Sequence, residues 1–159
     1  MKLCIKQKVF SLGDKFNIYD EYGNIKYLAK GKLFSLYRNL TVTDMNGEDV
    51  IHIKGKFSFM KPKFDITVPG FGTCEMIKEI KFFKQEYSIP QLNMRICGDF
   101  LAHNYVIFQN GIEIASLEKE YFTWGDTYCI NIPDTTNELI ALAAILVIDC
   151  CMANQNNHD

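Results

Sequence analysis

The sequence lacks the short motifs that mark the common enzyme classes. It contains no G-x-S-x-G nucleophile elbow, no H-E-x-x-H zinc motif, no P-loop and no G-x-G-x-x-G dinucleotide fingerprint. Histidine is scarce as well, and His52, on a predicted strand, is expected to be a hydrogen-bonded structural residue rather than a catalytic base. An enzyme is therefore the minority interpretation, and no cofactor is expected.

An excess of charge of one sign is also lacking. Seventeen Lys and Arg face nineteen Asp and Glu, which leaves a net charge of −2 and no overall positive field to hold a phosphate backbone. Nucleic acid is therefore not an expected partner. The first eight residues interrupt every apolar run with Lys or Gln, unlike the apolar centre of a secretory signal, and this predicts a cytoplasmic protein.

The six cysteines show no C-x-x-C pair and no spacing typical of a zinc site or a disulfide framework. They are expected to be reduced thiols. Cys150 and Cys151 are adjacent, but neighbouring side chains on a helix diverge by about 100°. Burial as small apolar side chains is therefore favoured over a redox switch.

The first third of the chain contains an internal repeat with a period of 24 residues. Residues 8–12 (KVFSL) return as residues 32–36 (KLFSL), and the segment from Asp20 to Gly23 returns as Asp44 to Gly47. Alternating apolar residues precede and follow each D-x-x-G segment, which is the pattern of a β-hairpin. Both aspartates are expected to have a structural role, because Asp stabilises a turn by accepting from its own downstream backbone.

Strand patterns continue over residues 57–59, 64–68, 77–83 and 92–97, and Asn110-Gly111 joins the strands of a third hairpin. This spacing predicts about ten strands, whose edges must be paired or closed. The 159 residues suffice for one domain. We predict that it covers residues 1–153, with a polar tail at 154–159.

Residues 139–148 form the one long apolar stretch, and Thr135 and Glu138 match a capping box that would start a helix before it. A helix that is apolar on all sides is surrounded by lipid or by protein. Residues 139–153 would span roughly 22 Å, less than the roughly 30 Å of a bilayer core. We therefore predict a β-barrel that encloses this helix, in which the buried carboxylate of Asp149 needs a partner.

Several stretches resemble the LURP-one-related family, whose fold is shared with the tubby C-terminal domain and the phospholipid scramblases. They are Gly98-Asp99-Phe100, residues 105–117, Ser116 to Phe122, Trp124 to Tyr128, and Glu138 to Ala143 running into Ile148-Asp149. The resemblance covers nearly the whole chain and implies a closed antiparallel barrel of about twelve strands around a central C-terminal helix. Relatives are associated with lipid transfer between leaflets, phosphoinositide binding and plant defence, and many bacterial-type members have no assigned activity.

A cationic run is the first candidate site. Lys54, Lys56, Lys61 and Lys63 lie close together in the sequence, and Lys78, Lys81 and Lys84 follow. Each lysine near an anionic leaflet contributes about 1 kcal/mol, so the first four are candidate contacts for a lipid headgroup. The alternative is a solvated strand face on which lysine prevents edge pairing.

Two other candidates involve acidic residues. Asp126 and Asp134 bound a stretch that aligns with the acid-rich segment proposed to bind calcium in scramblases, but Tyr and Ile stand where acids would be needed, so no metal is expected. His103 with Asp99 or Asp126 is the candidate for catalysis, on proximity in sequence alone. We expect a non-enzymatic binding or scaffold domain with a lipid or membrane partner. The alternative is a protein-interaction or regulatory module without a small ligand.

Overall fold

The computed structural model is a closed antiparallel barrel of twelve strands around one α-helix. It describes residues 1–6, 15–32, 39–56, 58–81, 84–120 and 127–156. The helix α1 covers Glu138–Asn156, and 3-10 turns lie at Pro90–Leu92 and Thr135–Asn137. The strands are β1 (Lys2–Lys6), β2 (Lys15–Asp20), β3 (Ile25–Lys32), β4 (Asn39–Asp44), β5 (Asp49–Lys56), β6 (Lys63–Val68), β7 (Gly72–Lys81), β8 (Lys84–Ile89), β9 (Met94–Asp99), β10 (Asn104–Gln109), β11 (Ile112–Glu120) and β12 (Thr127–Asn131).

Each strand pairs with its neighbour in sequence, and β12 returns to pair with β1, so that the barrel is closed. The twelve strands confirm the number implied by the family resemblance. The periodicity missed β1 and β8, because each has only two inward-facing apolar residues that are completely buried, Leu3 and Ile5 in one and Tyr87 and Ile89 in the other. It also assigned residues 57–59 to a strand, but Ser58 and Phe59 lie in the loop between β5 and β6.

The two copies of the repeat fold into equivalent hairpins, β2–β3 and β4–β5. Asp20 Oδ1 accepts from the backbone N–H groups of residues 22 and 24 at 2.9 and 2.8 Å, and Asp44 Oδ1 accepts from those of residues 46 and 48, both at 2.9 Å. Gly23 and Gly47 both have φ of 84°, a left-handed value that favours glycine. The structural role of both aspartates is confirmed. Residues 8–12 and 33–36 of the repeat lie outside the described residues.

The helix α1 is enclosed by the barrel, as predicted. Its length and composition would allow Thr135–Met152 to cross a membrane, but every residue from Ile140 to Ile148 is completely buried. The strands supply this environment because alternate residues point inward. Examples are Leu40 and Val42 of β4, which are 2% and 0% exposed.

The start of the helix differs from the predicted capping box. Asp134, in an extended conformation, is the capping residue, and its carboxylate accepts from the backbone N–H of Thr136 at 3.0 Å. Thr135 lies within a 3-10 turn, and α1 starts at Glu138. Glu138 Oε1 instead lies 2.5 Å from Lys26 Nζ and accepts from the Tyr27 hydroxyl at 2.8 Å. The helix continues to Asn156, three residues into the predicted tail.

The prediction that all cysteines are reduced thiols is wrong for two of them. Cys4 of β1 and Cys129 of β12 are bonded in a disulfide, while Cys74, Cys97, Cys150 and Cys151 remain thiols. The two bonded residues lie directly opposite each other where the first and last strands pair. Their separation of 125 residues hid this pairing from any local spacing pattern.

The two ends of the barrel can be assigned from the antiparallel order of the strands. The short connections at residues 21–24, 45–48, 69–71, 90–93 and 110–111 lie at the end where α1 begins. The loop between β5 and β6, the loop at residues 100–103 and the last turns of α1 lie at the opposite end. We call the end where α1 begins the α1 N-terminal end and the opposite end the α1 C-terminal end.

Candidate functional site

A buried polar cluster lies inside the barrel near its α1 C-terminal end. Its five members converge from five segments: Tyr87 from β8, His103 from the loop at 100–103, Tyr105 from β10, Tyr128 from β12 and Asp149 from α1. The three tyrosines are each 1% exposed or less. They point inward because they occupy inward-facing positions of their strands. We refer to these five side chains as the polar cluster.

Asp149 is the centre of the polar cluster and is 5% exposed. The Tyr128 hydroxyl donates a hydrogen bond to Asp149 Oδ2, and His103 Nδ1 lies 3.9 Å from Asp149 Oδ1. A buried carboxylate without partners is costly. The prediction that the Asp149 carboxylate has a hydrogen-bond partner is confirmed.

Among the described residues the acid beside His103 is therefore Asp149 and not Asp99, which had been proposed from sequence proximity. Asp99 Oδ1 instead accepts from the backbone N–H of Ala102 at 3.0 Å, which stabilises the turn. Asp126 lies outside the described residues.

The loop at residues 100–103 covers the polar cluster and is attached to it by two side chains. Phe100 is 4% exposed, and its ring centroid lies 5.1 Å from those of both Tyr87 and Tyr105. The His103 ring stacks on Tyr128 with centroids 5.2 Å apart. The backbone N–H of His103 donates to the Phe100 carbonyl at 3.2 Å, and His103 has a left-handed φ of 50°. One attachment of this loop is thus apolar and the other titratable.

Burial shapes the electrostatics of the polar cluster. It raises the pKa of Asp149 to about 7, although the hydrogen bond from Tyr128 acts in the opposite direction. Burial and, after it, the charge of Asp149 raise the pKa of Tyr105 and of Tyr128. The hydroxyl of Tyr105 and Asp149 Oδ1 have no hydrogen-bond partner among the described residues. The cluster can therefore hold or release a proton near neutral pH, with a spare donor beside the carboxylate.

Lys78 lies next to the polar cluster and not on the outer surface. It is 7% exposed, and its Nζ lies 5.9 Å from the centroid of the Tyr87 ring. Burial lowers the pKa of Lys78 and raises that of Tyr87, which also faces the Cys151 thiol. The grouping of Lys78 with an outer cationic face was wrong, because its position on β7 points inward.

The four lysines predicted to contact a headgroup lie along β5, β6 and the loop between them. Lys56 Nζ lies 2.8 Å from Glu75 and 3.2 Å from Asp65, and Lys63 Nζ lies 3.2 Å from Glu75. Lys61 Nζ lies 2.5 Å from Glu79. Lys54 is exposed and makes no ion pair in the described part of the chain. Carboxylates on β6 and β7 thus neutralise much of this run.

An exposed apolar tip projects from the same region. Phe59 and Met60, in the loop between β5 and β6, are 93% and 82% exposed. Leu101, in the loop over the polar cluster at the same end of the barrel, is 78% exposed. This tip was not predicted from the sequence, because Phe59 was assigned to a strand. The signal available in the sequence was Pro62 and the lysines that flank the two apolar residues.

A groove of about 490 Å³ lies at the α1 N-terminal end, between the two repeat hairpins. The exposed side chains of Tyr22 and Met45 are part of its lining, together with the less exposed Ile25. The Lys26–Glu138 ion pair, which anchors the first turn of α1, lies at this groove. Sequence reasoning did not predict this groove, because the groove forms between turns that are 24 residues apart.

Comparison with known proteins identifies the family of the chain and supports its fold. The sequence pattern of the LURP-one-related family matches residues 1–149. The chain belongs to the LURP-one-related family. An uncharacterized Bacillus subtilis (strain 168) protein, YxjI, is 31% identical over 157 residues, which cover 99% of this chain and 97% of that protein. An Arabidopsis thaliana protein of known X-ray structure has the same fold, with a TM-score of 0.61 at 16% identity, covering 96% of this chain and 91% of that one.

His52 and Asp134, two further site candidates from the sequence, make structural contacts in this LURP-one-related domain. His52 lies on the outer face of β5, with Nδ1 3.2 Å from the Thr41 hydroxyl and Nε2 3.6 Å from Asp49. Asp134, a candidate for a metal site, caps the turn before α1. Within the described ranges no three His, Cys, Asp or Glu side chains are grouped so that they could hold a metal ion.

Proposed function

We propose that this LURP-one-related domain is a non-enzymatic binding domain that docks on membrane surfaces through its α1 C-terminal end. The observation that carries the proposal is the apolar tip, Phe59 and Met60, which is almost fully exposed between lysines. Large apolar side chains in solvent at a loop tip are typical of an interaction site. Apolar residues flanked by cations also suit the boundary between headgroups and acyl chains.

The charges around the tip indicate whether apolar burial or electrostatic attraction would dominate membrane binding. The four candidate headgroup lysines, Lys54, Lys56, Lys61 and Lys63, face three carboxylates, those of Asp65, Glu75 and Glu79, so the region carries one net positive charge. Burying a Phe or Met side chain contributes about 1.5 to 3 kcal/mol, whereas a lysine near an anionic surface contributes about 1 kcal/mol. Apolar insertion should therefore supply most of the affinity, and anionic lipid should add little.

A role in binding rather than catalysis fits the position of the polar cluster. Asp149 is 5% exposed, and Phe100 and His103 attach a loop over it, so a substrate would have no direct approach to this carboxylate. The cytoplasmic location remains a prediction. The Cys4–Cys129 disulfide argues against it, because such bonds persist mainly in oxidising compartments.

Vesicle flotation of the full chain tests the proposal. We expect the unmodified protein to float with phosphatidylcholine vesicles and about as well with vesicles that also contain phosphatidylserine. The double variant Phe59→Ser, Met60→Ser should remain at the bottom of the gradient with both. Ile112→Ser is the matched control, because Ile112 is 69% exposed at the opposite end of the barrel. Absence of the unmodified protein from both floating fractions would refute membrane docking.

A second candidate function, protein interaction, is favoured by the groove between the repeat hairpins. Tyr22 is 83% and Met45 59% exposed at its rim, and exposed aromatic and Met side chains are enriched in interfaces. A pull-down from the native cell with the unmodified protein and with Tyr22→Ser, Met45→Ser tests it. A partner that is lost with the groove variant, and kept with the Phe59→Ser, Met60→Ser variant, would favour this function over membrane docking.

A further inference from the structure

We propose that the loop at residues 100–103 is a proton-controlled cover over the α1 C-terminal end of the barrel interior. It is closed while the His103–Asp149 pair holds a proton and opens when the pair loses it. The proposal does not depend on membrane docking, since it concerns the domain alone in solution. It rests on the arrangement of the two side chains that attach the loop to the polar cluster.

The two attachments respond differently to pH. Phe100 packs between Tyr87 and Tyr105 at 5.1 Å from each ring, and this apolar contact does not titrate near neutral pH. His103 stacks on Tyr128 and places Nδ1 3.9 Å from Asp149 Oδ1. A proton in that pair compensates the buried charge, whereas its loss leaves a carboxylate that only protein dipoles solvate.

The groups that face Asp149 determine how the cluster responds to deprotonation. Tyr128 from β12 already donates to it, and Tyr105 from β10 has a hydroxyl that can turn toward it. Burial raises the pKa of Tyr87 from β8, so that this side chain is neutral at pH 7, and the thiols of Cys150 and Cys151 lie on α1 itself. Lys78 from β7 places its Nζ over the Tyr87 ring, 5.9 Å from the centroid. Among the described residues, the hydroxyls of Tyr128 and Tyr105 and the His103 ring are the donors that face an ionised Asp149, and water entry past the loop that carries His103 is the further relief open to it.

The sign of the effect follows from linkage. An acid whose folded pKa is raised stabilises the closed state fully below its ordinary value near 4, and this contribution is lost as the pH rises to about 7. If the open loop exposes Asp149 to water, the ratio of open to closed loop should rise about tenfold per pH unit over this window, and level off above it. An uncoupled loop would show no such rise.

Hydrogen exchange of the His103 amide is the most direct test. This amide is bonded to a backbone carbonyl, which does not titrate in this range. After correction for the intrinsic exchange rate, we expect the opening ratio of the unmodified protein to increase about tenfold from pH 5 to 6 and about fivefold from pH 6 to 7, where the titration of the closed state itself begins. In Asp149→Asn the ratio should be independent of pH. Asp134→Asn, an exposed carboxylate at the opposite end, is the matched control and should behave as the unmodified protein does.

A second measurement, which needs no variant, tests the proposal if Asp149→Asn does not fold. Carbon-13 NMR of the Asp149 side-chain carboxyl in the unmodified protein should give a titration midpoint near 7. A midpoint near 4, or a corrected opening ratio at His103 that does not change between pH 5 and 7, would overturn the proposal. Both results are obtained without vesicles, so they are independent of the flotation experiment.

Discussion

At the scale of single residues, Gly98 explains why the loop over the polar cluster starts where it does. Gly98 lies opposite Tyr105 in the β9–β10 register and has a φ of 147°. A Cβ at this position would lie 2.4 Å from the Asn104 carbonyl oxygen and 2.5 Å from Tyr105 Cα, both backbone atoms that cannot move aside. The close approach of the two strands thus requires glycine, directly before the turn that holds Phe100 and His103.

Replacement of Gly98 by alanine should therefore be severe. We expect Gly98→Ala to lower the free energy of unfolding by about 3 kcal/mol or more, because the clash is with backbone. Gly111→Ala is the matched control: Gly111 also has a left-handed φ, of 80°, but a methyl group there would meet no heavy atom within 4 Å, so the expected loss is about 1 kcal/mol. Urea unfolding of the two variants measures the difference, and equal losses would contradict this account of Gly98.

The residues of the polar cluster show how far sequence reasoning reaches at this scale. Burial of Asp149 followed from the apolar stretch around it, and so did its need for a partner. The partners themselves did not follow. Tyr128 is 21 residues away in the sequence, and His103 reaches Asp149 only because β10 and α1 meet in space. A contact between distant segments depends on the register of the whole barrel, which no local pattern contains.

At the scale of elements, α1 should contribute much of the stability, because it fills the interior of the barrel. Leu146 is completely buried, so Leu146→Ala should lower the free energy of unfolding by about 2 to 5 kcal/mol through lost burial and a residual cavity. Ile80→Ala is the control, since Ile80 is 67% exposed on β7 and should change stability by less than about 0.5 kcal/mol. Thermal or urea unfolding checks both. A mild effect at Leu146 would mean that α1 is not packed as the barrel core.

The hairpin turns, whose signals are short-range, were predicted correctly from the sequence. The D-x-x-G turns and Asn110-Gly111 are fixed by residues within four positions of each other, and both types form the predicted hairpins. The prediction of a strand at residues 57–59 failed for the opposite reason. These three residues alternate apolar, polar and apolar as in a strand, and only the pairing of Lys56 with Lys63 across β5 and β6 shows that the chain turns between them.

At the scale of the whole molecule, the barrel is completed by a contact between its two most distant strands. β1 pairs with β12 over five residue pairs, from Lys2–Asn131 to Lys6–Thr127. This pairing buries Leu3 and Ile5 against the core. Its formation must wait until nearly the whole chain is in place, because the loop that it closes spans almost the full sequence. The Cys4–Cys129 disulfide fixes this same pair of strands.

The disulfide should therefore have a large effect on stability. A bond between residues 125 positions apart restricts the unfolded chain, and the chain-entropy estimate for a loop of this size is about 4 to 5 kcal/mol. We expect the air-oxidised protein to lose stability on that scale when it is reduced. Cys4→Ser should show the same loss without reductant and no further change with it. Cys97→Ser is the control, because Cys97 lies outside the disulfide and its variant should retain the sensitivity to reductant.

Alkylation of the unfolded, unreduced protein measures the disulfide itself. Four of the six cysteines should react, and the two that do not should be recovered in one linked peptide pair that contains Cys4 and Cys129. Reaction of all six, together with an unfolding midpoint that reductant does not change, would show that the barrel is closed by strand pairing alone. Counting the reactive cysteines on protein alkylated inside intact cells distinguishes a cytoplasmic location from an oxidising compartment. A reducing cytoplasm should keep all six thiols reactive even where the purified barrel oxidises in air.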